Sequence, residues 1–338
     1  MAQLSDVLLQ VAVLVYLAAM MGYLVEFAFG RQGAVARVAA RSSLVTVGPG
    51  AASPVSPAPV SPAPPVSPAP PVSPVAPGRP APIASGRAAR FGAIAVGLSA
   101  LGLAVHIGVL VTRGLAAGRV PWGNMYEFVL TLTAVGSLGW LILLSRRPAL
   151  RSLGVFVAAV IMLLLGFAGV VLHTAAEPLM PALNSYWLKI HVTAAATASG
   201  LLLLGFIPAA LFLIRAGYDA GKRHFPYTIG RNLPAADSLE RLTFRLHTFA
   251  FPIWTLAVIC GAIWAEAAWG RYWGWDPKET WSFISWVAYA AYLHARATPS
   301  VKRTTATWFA VAAWGTMLIN LYVINFVAVG LHSYAGVD

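Results

Sequence analysis

The sequence predicts an all-α protein: a polytopic membrane helical bundle of about eight transmembrane helices. Three observations predict it. The chain is 59% hydrophobic and only 10% charged, where soluble domains carry about 25% charged residues. Its mean hydropathy is +0.73. Its apolar residues fall in separate runs, most of them long enough to span about 30 Å of hydrocarbon. The net charge of +12 would point to nucleic acid in a soluble protein. Here it follows from basic loops on one side of a membrane, so no nucleic-acid partner is expected. Cys260 is the single cysteine, so no intrachain disulfide, CxxC redox pair or CxxCH attachment site can form.

The first apolar run covers 7–29 and has neither a basic n-region nor an A-x-A-like cleavage site. It reads as a retained helix rather than a signal peptide. Glu26, near its end, is expected at the interface beside Arg31. Residues 48–82 repeat V-S-P-A-P-P without charge until Arg79. Such a segment is an extended polyproline-type spacer that packs no core and reaches roughly 100 Å at ~3.1 Å per residue. The expected organisation is therefore an N-terminal transmembrane helix over 1–30, a Pro-rich linker over 31–90, and a transmembrane domain over 91–338.

Within that domain seven further runs follow, at 91–111, 126–144, 153–172, 191–214, 249–268, 281–293 and 307–331. The run at 281–293 is short, and reaches spanning length only as a helix from Pro277 through Arg296. Orientation follows from Lys and Arg. With both termini outside, the inner segments 30–90, 145–152, 215–248 and 294–306 hold 18 of them, and the outer ones hold 5. The outer loops are then 112–125, 173–190 and 269–286. The linker becomes cytoplasmic.

The loop 269–286 reads WGRYWGWDPKETWSFISW, with Trp269, Trp273, Trp275, Trp281 and Trp286 among its 18 residues. Trp and Tyr favour the bilayer interface, so an aromatic belt is one reading. Belt tryptophans are usually scattered over several helix ends, and this density favours a platform for a large flat aromatic ligand such as a porphyrin. Asp276-Pro277-Lys278-Glu279 fits an N-cap, a Pro at the first helical position and a capping-box Glu. These acids read as helix starters, which hold the tryptophans in place.

The histidines gain addresses from this layout. His191 opens the fifth helix and His332 closes the eighth, both at the outer level of the Trp loop. Two neutral imidazoles across a haem give six-coordinate iron, whereas without the Trp loop they would read as ordinary interfacial residues. His294 sits at the inner end of the seventh helix, where an ionisable residue marks a site; His247 is a weak candidate for its mate. His106 and His173 read as packing or interfacial residues, and His224 as solvated. In the outer loop 121–127, Asn124 and Glu127 suggest a second capping box. Arg271 and Lys278 are available for haem propionates, although cations at an interface need no such role.

These residues resemble the CcsA family, also called ResC, and CcsB in actinobacteria: the haem-handling subunits of system II cytochrome c maturation. W-G-R-Y-W-G-W-D-P-K-E-T-W followed by Y-L-H-A-R matches the family's WWD domain. P-A-L-N-S-Y-W-L-K-I-H-V and G-L-H-S-Y-A look like the segments carrying its two outer histidines, and N-M-Y-E is similar to its early outer-loop motif. The resemblance covers about 91–338. It implies a multi-pass protein of the plasma membrane with its WWD loop extracytoplasmic. It implies that haem b is bound as cargo by His191 and His332 beside Trp269, Trp273, Trp275, Asp276 and Trp281. His294 would hold haem in transit, sharing it with a CcsB/ResB-type membrane subunit. Haem would then be presented to CxxCH apocytochrome c, with a thiol-reducing thioredoxin-like protein as a further partner. The chain would thus be a subunit of a holocytochrome c synthase complex. Delivery of haem to a chaperone, or a haem-retaining electron-transfer subunit, are the alternatives. The first helix and the Pro-rich linker depart from the family's compact core.

Overall fold

The computed structural model describes residues 1–45 (backbone alone from 31), 86–179, 184–328 and 330–332. The repeat at 48–82 lies outside them. Every regular element among the described residues is helical. Helix α1 spans Ala2–Val45, α2 Arg87–Ala117 and α3 Met125–Arg146. A 3-10 element at Pro148–Leu153 leads into α4 (Gly154–Val170), and α5 spans Tyr186–Asp219. A second 3-10 element at Tyr227–Asn232 precedes α6 (Ala236–Trp269), followed by α7 (Pro277–Ala297) and α8 (Arg303–Leu318). Helix α8 continues through a π-helical turn, Ile319–Val323, into a last turn at Ile324–Val327.

Seven of these helices are long and apolar enough to cross a membrane. Helix α7 is the exception. Its 21 residues give about 31 Å of length at 1.5 Å per residue, but its buried stripe of Ser285, Tyr289 and Tyr292 lowers its apolarity. It starts at Pro277, because Pro has the φ of a first helical residue and no N–H that the first turn would leave unpaired. Helix α6 begins 13 residues before the apolar run at 249. Its first turns mix Glu240, Arg241 and Arg245 with the buried Leu239, Leu242 and Thr243, an amphipathic pattern that a search for apolar runs passes over.

Residue pairs fix the directions. Helices α1 and α2 run antiparallel, with Tyr16 against Gly102 and Glu26 against Gly92. Helices α5 and α6 run antiparallel too, with His191 against Gly261 and His247 against Gly205. Helices α6 and α7 are pinned at two levels. The Trp286 indole donates to Thr255 Oγ1 at 2.9 Å, and Arg296 pairs with Glu240. The Thr316 hydroxyl donates to Ser285 across α8 and α7 at 2.9 Å. One end of the bundle therefore collects the starts of α1, α3, α5 and α7 and the ends of α2, α4, α6 and α8.

Glu26 does not rest beside Arg31. It is buried and paired with Arg151 of the first 3-10 element, whose guanidinium takes both carboxylate oxygens at 2.5 to 2.9 Å. Arg151 also donates to the Ala89 carbonyl at 3.3 Å. A charge in a low-dielectric span is tolerated only when paired, so this pair ties α1 to α2 and α4. We predict that Glu26→Met or Arg151→Met alone lowers stability by about 3–5 kcal/mol, because each leaves a buried charge unmatched, and that the double substitution loses less. Thermal unfolding of the detergent-solubilised protein measures this; equal losses in all three variants would contradict it.

Candidate functional site

The end that gathers those helix termini holds a cleft of about 1300 Å3, its open mouth included. One face of α6 forms a wall: Trp254, Ala257, Val258, Gly261, Trp264 and Ala265 recur at three- and four-residue intervals, the spacing of one helical stripe. Leu188, His191, Val192, Ala195 and Ser199 do the same on α5. The loop 121–125, the Trp loop, the start of α7, the π-turn of α8 and His332 complete it. A π-turn shifts a helix's register and is common at functional sites; here it brings Asn320 to the cleft.

His191 and His332 meet at one indole. His191 stacks on Trp264 with centroids 5.9 Å apart and planes 9° apart, and His332 meets the same ring at 6.0 Å and 64°. The two imidazole centroids thus lie no farther apart than those distances laid end to end, about 12 Å. Trp269 packs edge-on against both His332, at 5.0 Å, and Trp264, at 4.8 Å.

Each ring is oriented through Nδ1. His191 Nδ1 lies 2.8 Å from the Ala257 carbonyl. A carbonyl only accepts, so Nδ1 carries the hydrogen and the neutral ring's lone pair lies on Nε2. The approach requires Gly261, where a Cβ would fall 2.8 Å from His191 Cε1. His332 Nδ1 lies 2.9 Å from Asp276 Oδ2, and the Leu331 N–H donates to Oδ1 at 2.8 Å. Burial alone would raise the Asp276 carboxyl, but the His332 ring and the Leu331 amide hold it below its usual range. As a carboxylate it too must accept, which again puts the lone pair on Nε2. Burial, outweighing the carboxylate beside it, holds His332 below its ordinary value of 6.5, so the ring stays in its neutral form at neutral pH. Imidazoles that donate through one nitrogen to a carbonyl or carboxylate and offer the other are the usual form of metal-ligating histidine.

The Trp loop is built for rigidity. Gly270 closes α6 in the left-handed region at φ 71°, where a side chain would be strained. Glu279 Oε2 accepts from the backbone N–H groups of Gly274 at 2.8 Å and Asp276 at 3.1 Å, and Arg271 leans on the same carboxylate at 3.4 Å. The expected capping box is present, with Asp276 holding the C-terminal segment as well. The second box differs in detail. Asn124 caps α3 by accepting from the Glu127 N–H at 2.9 Å, but Glu127 reaches back to Gly123 and takes Arg113 and Arg119 besides. That buried cluster fixes the loop whose Trp122, Asn124 and Met125 line the cleft.

Of the residues singled out by sequence, the cleft takes His191, His332, Trp269 and Trp273, with Asp276 behind His332. Trp275 and Trp281 are not among its lining residues. Trp275 is 65% exposed, sits at φ 58°, and meets Phe283 edge-on at 6.2 Å. A bulky residue at positive φ is strained, so the loop holds this indole outward at a cost. His294 is exposed at the other end of the bundle, on the opposite side of α7 from the buried Tyr292. His247 is fully buried, packed on Tyr289 and Tyr292, with Nδ1 on the Thr243 carbonyl at 2.7 Å. His106 is buried as well, edge-on to Tyr16, and His173 pairs with Asp6 at 3.1 Å. Sequence reasoning missed Trp254, Trp264 and Trp314, which stand inside apolar helices; the signal was the spacing of Trp254, Gly261 and Trp264 on one α6 stripe.

The fold and this site define a class: multi-pass helical membrane proteins that assemble c-type cytochromes. Residues 122–332 match the model of the cytochrome C assembly protein family. The chain is 35% identical over 242 residues to the cytochrome c biogenesis protein CcsA of Guillardia theta, covering 67% of this chain and 80% of that one. It is 31% identical over 296 residues to the CcsA of Gloeobacter violaceus, covering 71% and 86%. With that of Porphyra purpurea the figure is 31% over 271 residues, covering 69% and 85%. The chain therefore belongs to the CcsA family of cytochrome c biogenesis proteins.

The Asp276 bonds give a first prediction for the site. Asp276→Ala should release the Leu331 amide to fast hydrogen exchange. In the unaltered protein a depressed carboxyl keeps the contact above its ordinary value of 3.8 and loses it only as pH falls through the lower folded value. Amide exchange followed by mass spectrometry reads both effects; equal protection in the variant would contradict them.

Proposed function

We propose that the cleft holds haem by its iron between His191 and His332 and presents it for covalent attachment to a CxxCH apocytochrome c. One observation carries this reading: two imidazoles from opposite ends of the domain share the Trp264 ring, and each is locked with its lone pair on Nε2. The aromatic walls suit a flat apolar macrocycle, and membership of the CcsA family supports a cytochrome-directed cargo. The 18-to-5 division of Lys and Arg supports placing this end of the bundle outside the cytoplasmic membrane.

In this reading the protein supplies ligation and positioning, and the porphyrin supplies reactive vinyl groups. Each apocytochrome thiol adds across a vinyl C=C, forming one C–S and one C–H bond with no change in electron count. The histidine of the CxxCH then takes an axial position from one of the two ligands. The exposure of His294, far from the cleft, suits a ligand shared with a CcsB/ResB-type subunit during passage from the inner face. Residues 48–82 serve as a spacer.

The purified protein should show a low-spin haem spectrum, weakened by His191→Ala or His332→Ala and absent in the double substitution. Normal haem content in the double variant would remove the ligand assignment. Deleting residues 48–82, with a short linker in place, should leave c-type cytochromes at normal levels in the membrane fraction. Their loss would give the segment a role beyond spacing.

A further inference from the structure

The cations around the cleft are not equivalent. Arg113 and Arg119 are bound to Glu127, and Arg271 leans on Glu279. Lys278 lines the cleft, yet no carboxylate lies within ion-pair distance of it among the described residues. The acids on either side of it are engaged elsewhere. Asp276 takes His332 and Leu331, and Glu279 takes the loop amides and Arg271. The hydrogen-bond partner of the Lys278 ammonium is the Met125 thioether at 3.7 Å, a weak acceptor. An ammonium facing a cleft of indoles and aliphatic side chains without a counter-charge is an incomplete ion pair, and desolvating it that way is costly.

We propose that Lys278 is the carboxylate receptor of the cleft: it pairs with a propionate of the bound porphyrin and so sets which way round the macrocycle sits. This rests on the haem reading above and adds to it a group that reads the ring's edge rather than its metal. The chemistry of the walls selects the ligand. A flat aromatic body meets Trp269, Trp273 and Trp264 while one acidic substituent completes the Lys278 pair. Arg271 plays no such part, because Glu279 already occupies its guanidinium. An ammonium is a compact point charge, so it holds one carboxylate oxygen and leaves the orientation of the ring plane to the histidines.

The test uses the full-length protein in detergent and two probes, iron protoporphyrin IX and its dimethyl ester, which keeps the iron and vinyl groups and lacks both carboxylates. The unaltered protein should prefer the diacid by about tenfold or more, as a charge-assisted hydrogen bond implies. Lys278→Met should abolish that preference while retaining the low-spin spectrum, and Lys278→Arg should restore most of it. Equal binding of diacid and ester by the unaltered protein would overturn the role of Lys278 and leave the axial-ligand reading standing. So would an undiminished preference in Lys278→Met. Failure of the unaltered protein to give a low-spin complex with either probe would overturn both.

Discussion

The Asp276 carboxylate is the contact on which the site depends. It lies in the turn before α7 and accepts from two groups 55 and 56 residues further along, the Leu331 amide and the His332 ring. Those bonds fasten the segment after α8 to the Trp loop. They also decide the chemistry of His332, since a carboxylate beside Nδ1 puts the lone pair on Nε2. A single acid thereby links helix initiation, loop closure and imidazole orientation. The surrounding structure lets it stay ionised: Glu279 satisfies the Asp276 and Gly274 amides, and the Asp276 oxygens remain for the C-terminal segment.

His191 reaches the same state by a different route. Its orienting acceptor is a main-chain carbonyl of α6, and the missing side chain at Gly261 lets the ring approach. The α5–α6 contact is thus part of the site, and Trp264, on the α6 stripe with Gly261, supports both imidazoles. On the far side of the cleft, the Glu127 cluster holds the 121–127 loop by joining α2, α3 and the segment after α4. Charges buried in this way would be costly if unpaired, so they serve to fix the loop's geometry.

Much of this was legible in the sequence. Apolar runs gave the helices, the W-D-P-K-E segment gave the start of α7, and the density of indoles beside two histidines gave the heart of the site. What escaped did so for physical reasons. Tryptophans inside an apolar helix look like lipid-facing or packing residues, so Trp264 and Trp254 carried no signal apart from helical spacing. The start of α6 hid because amphipathic turns lower hydropathy. Glu26 found a partner 125 residues away, which no local pattern encodes. Trp275 and Trp281 counted toward the cluster in sequence, yet proximity along a loop does not fix where a side chain points, and the strained backbone at Trp275 turns it outward.

The account stands on two imidazoles sharing one iron. Pulsed electron paramagnetic resonance of the ferric haem complex, with histidine nitrogens isotopically labelled, counts the imidazoles bound to the metal. Two equivalent imidazole couplings, reduced to one by replacing either His191 or His332, is the predicted result. A spectrum with two couplings that survives both replacements would place the haem elsewhere in the bundle.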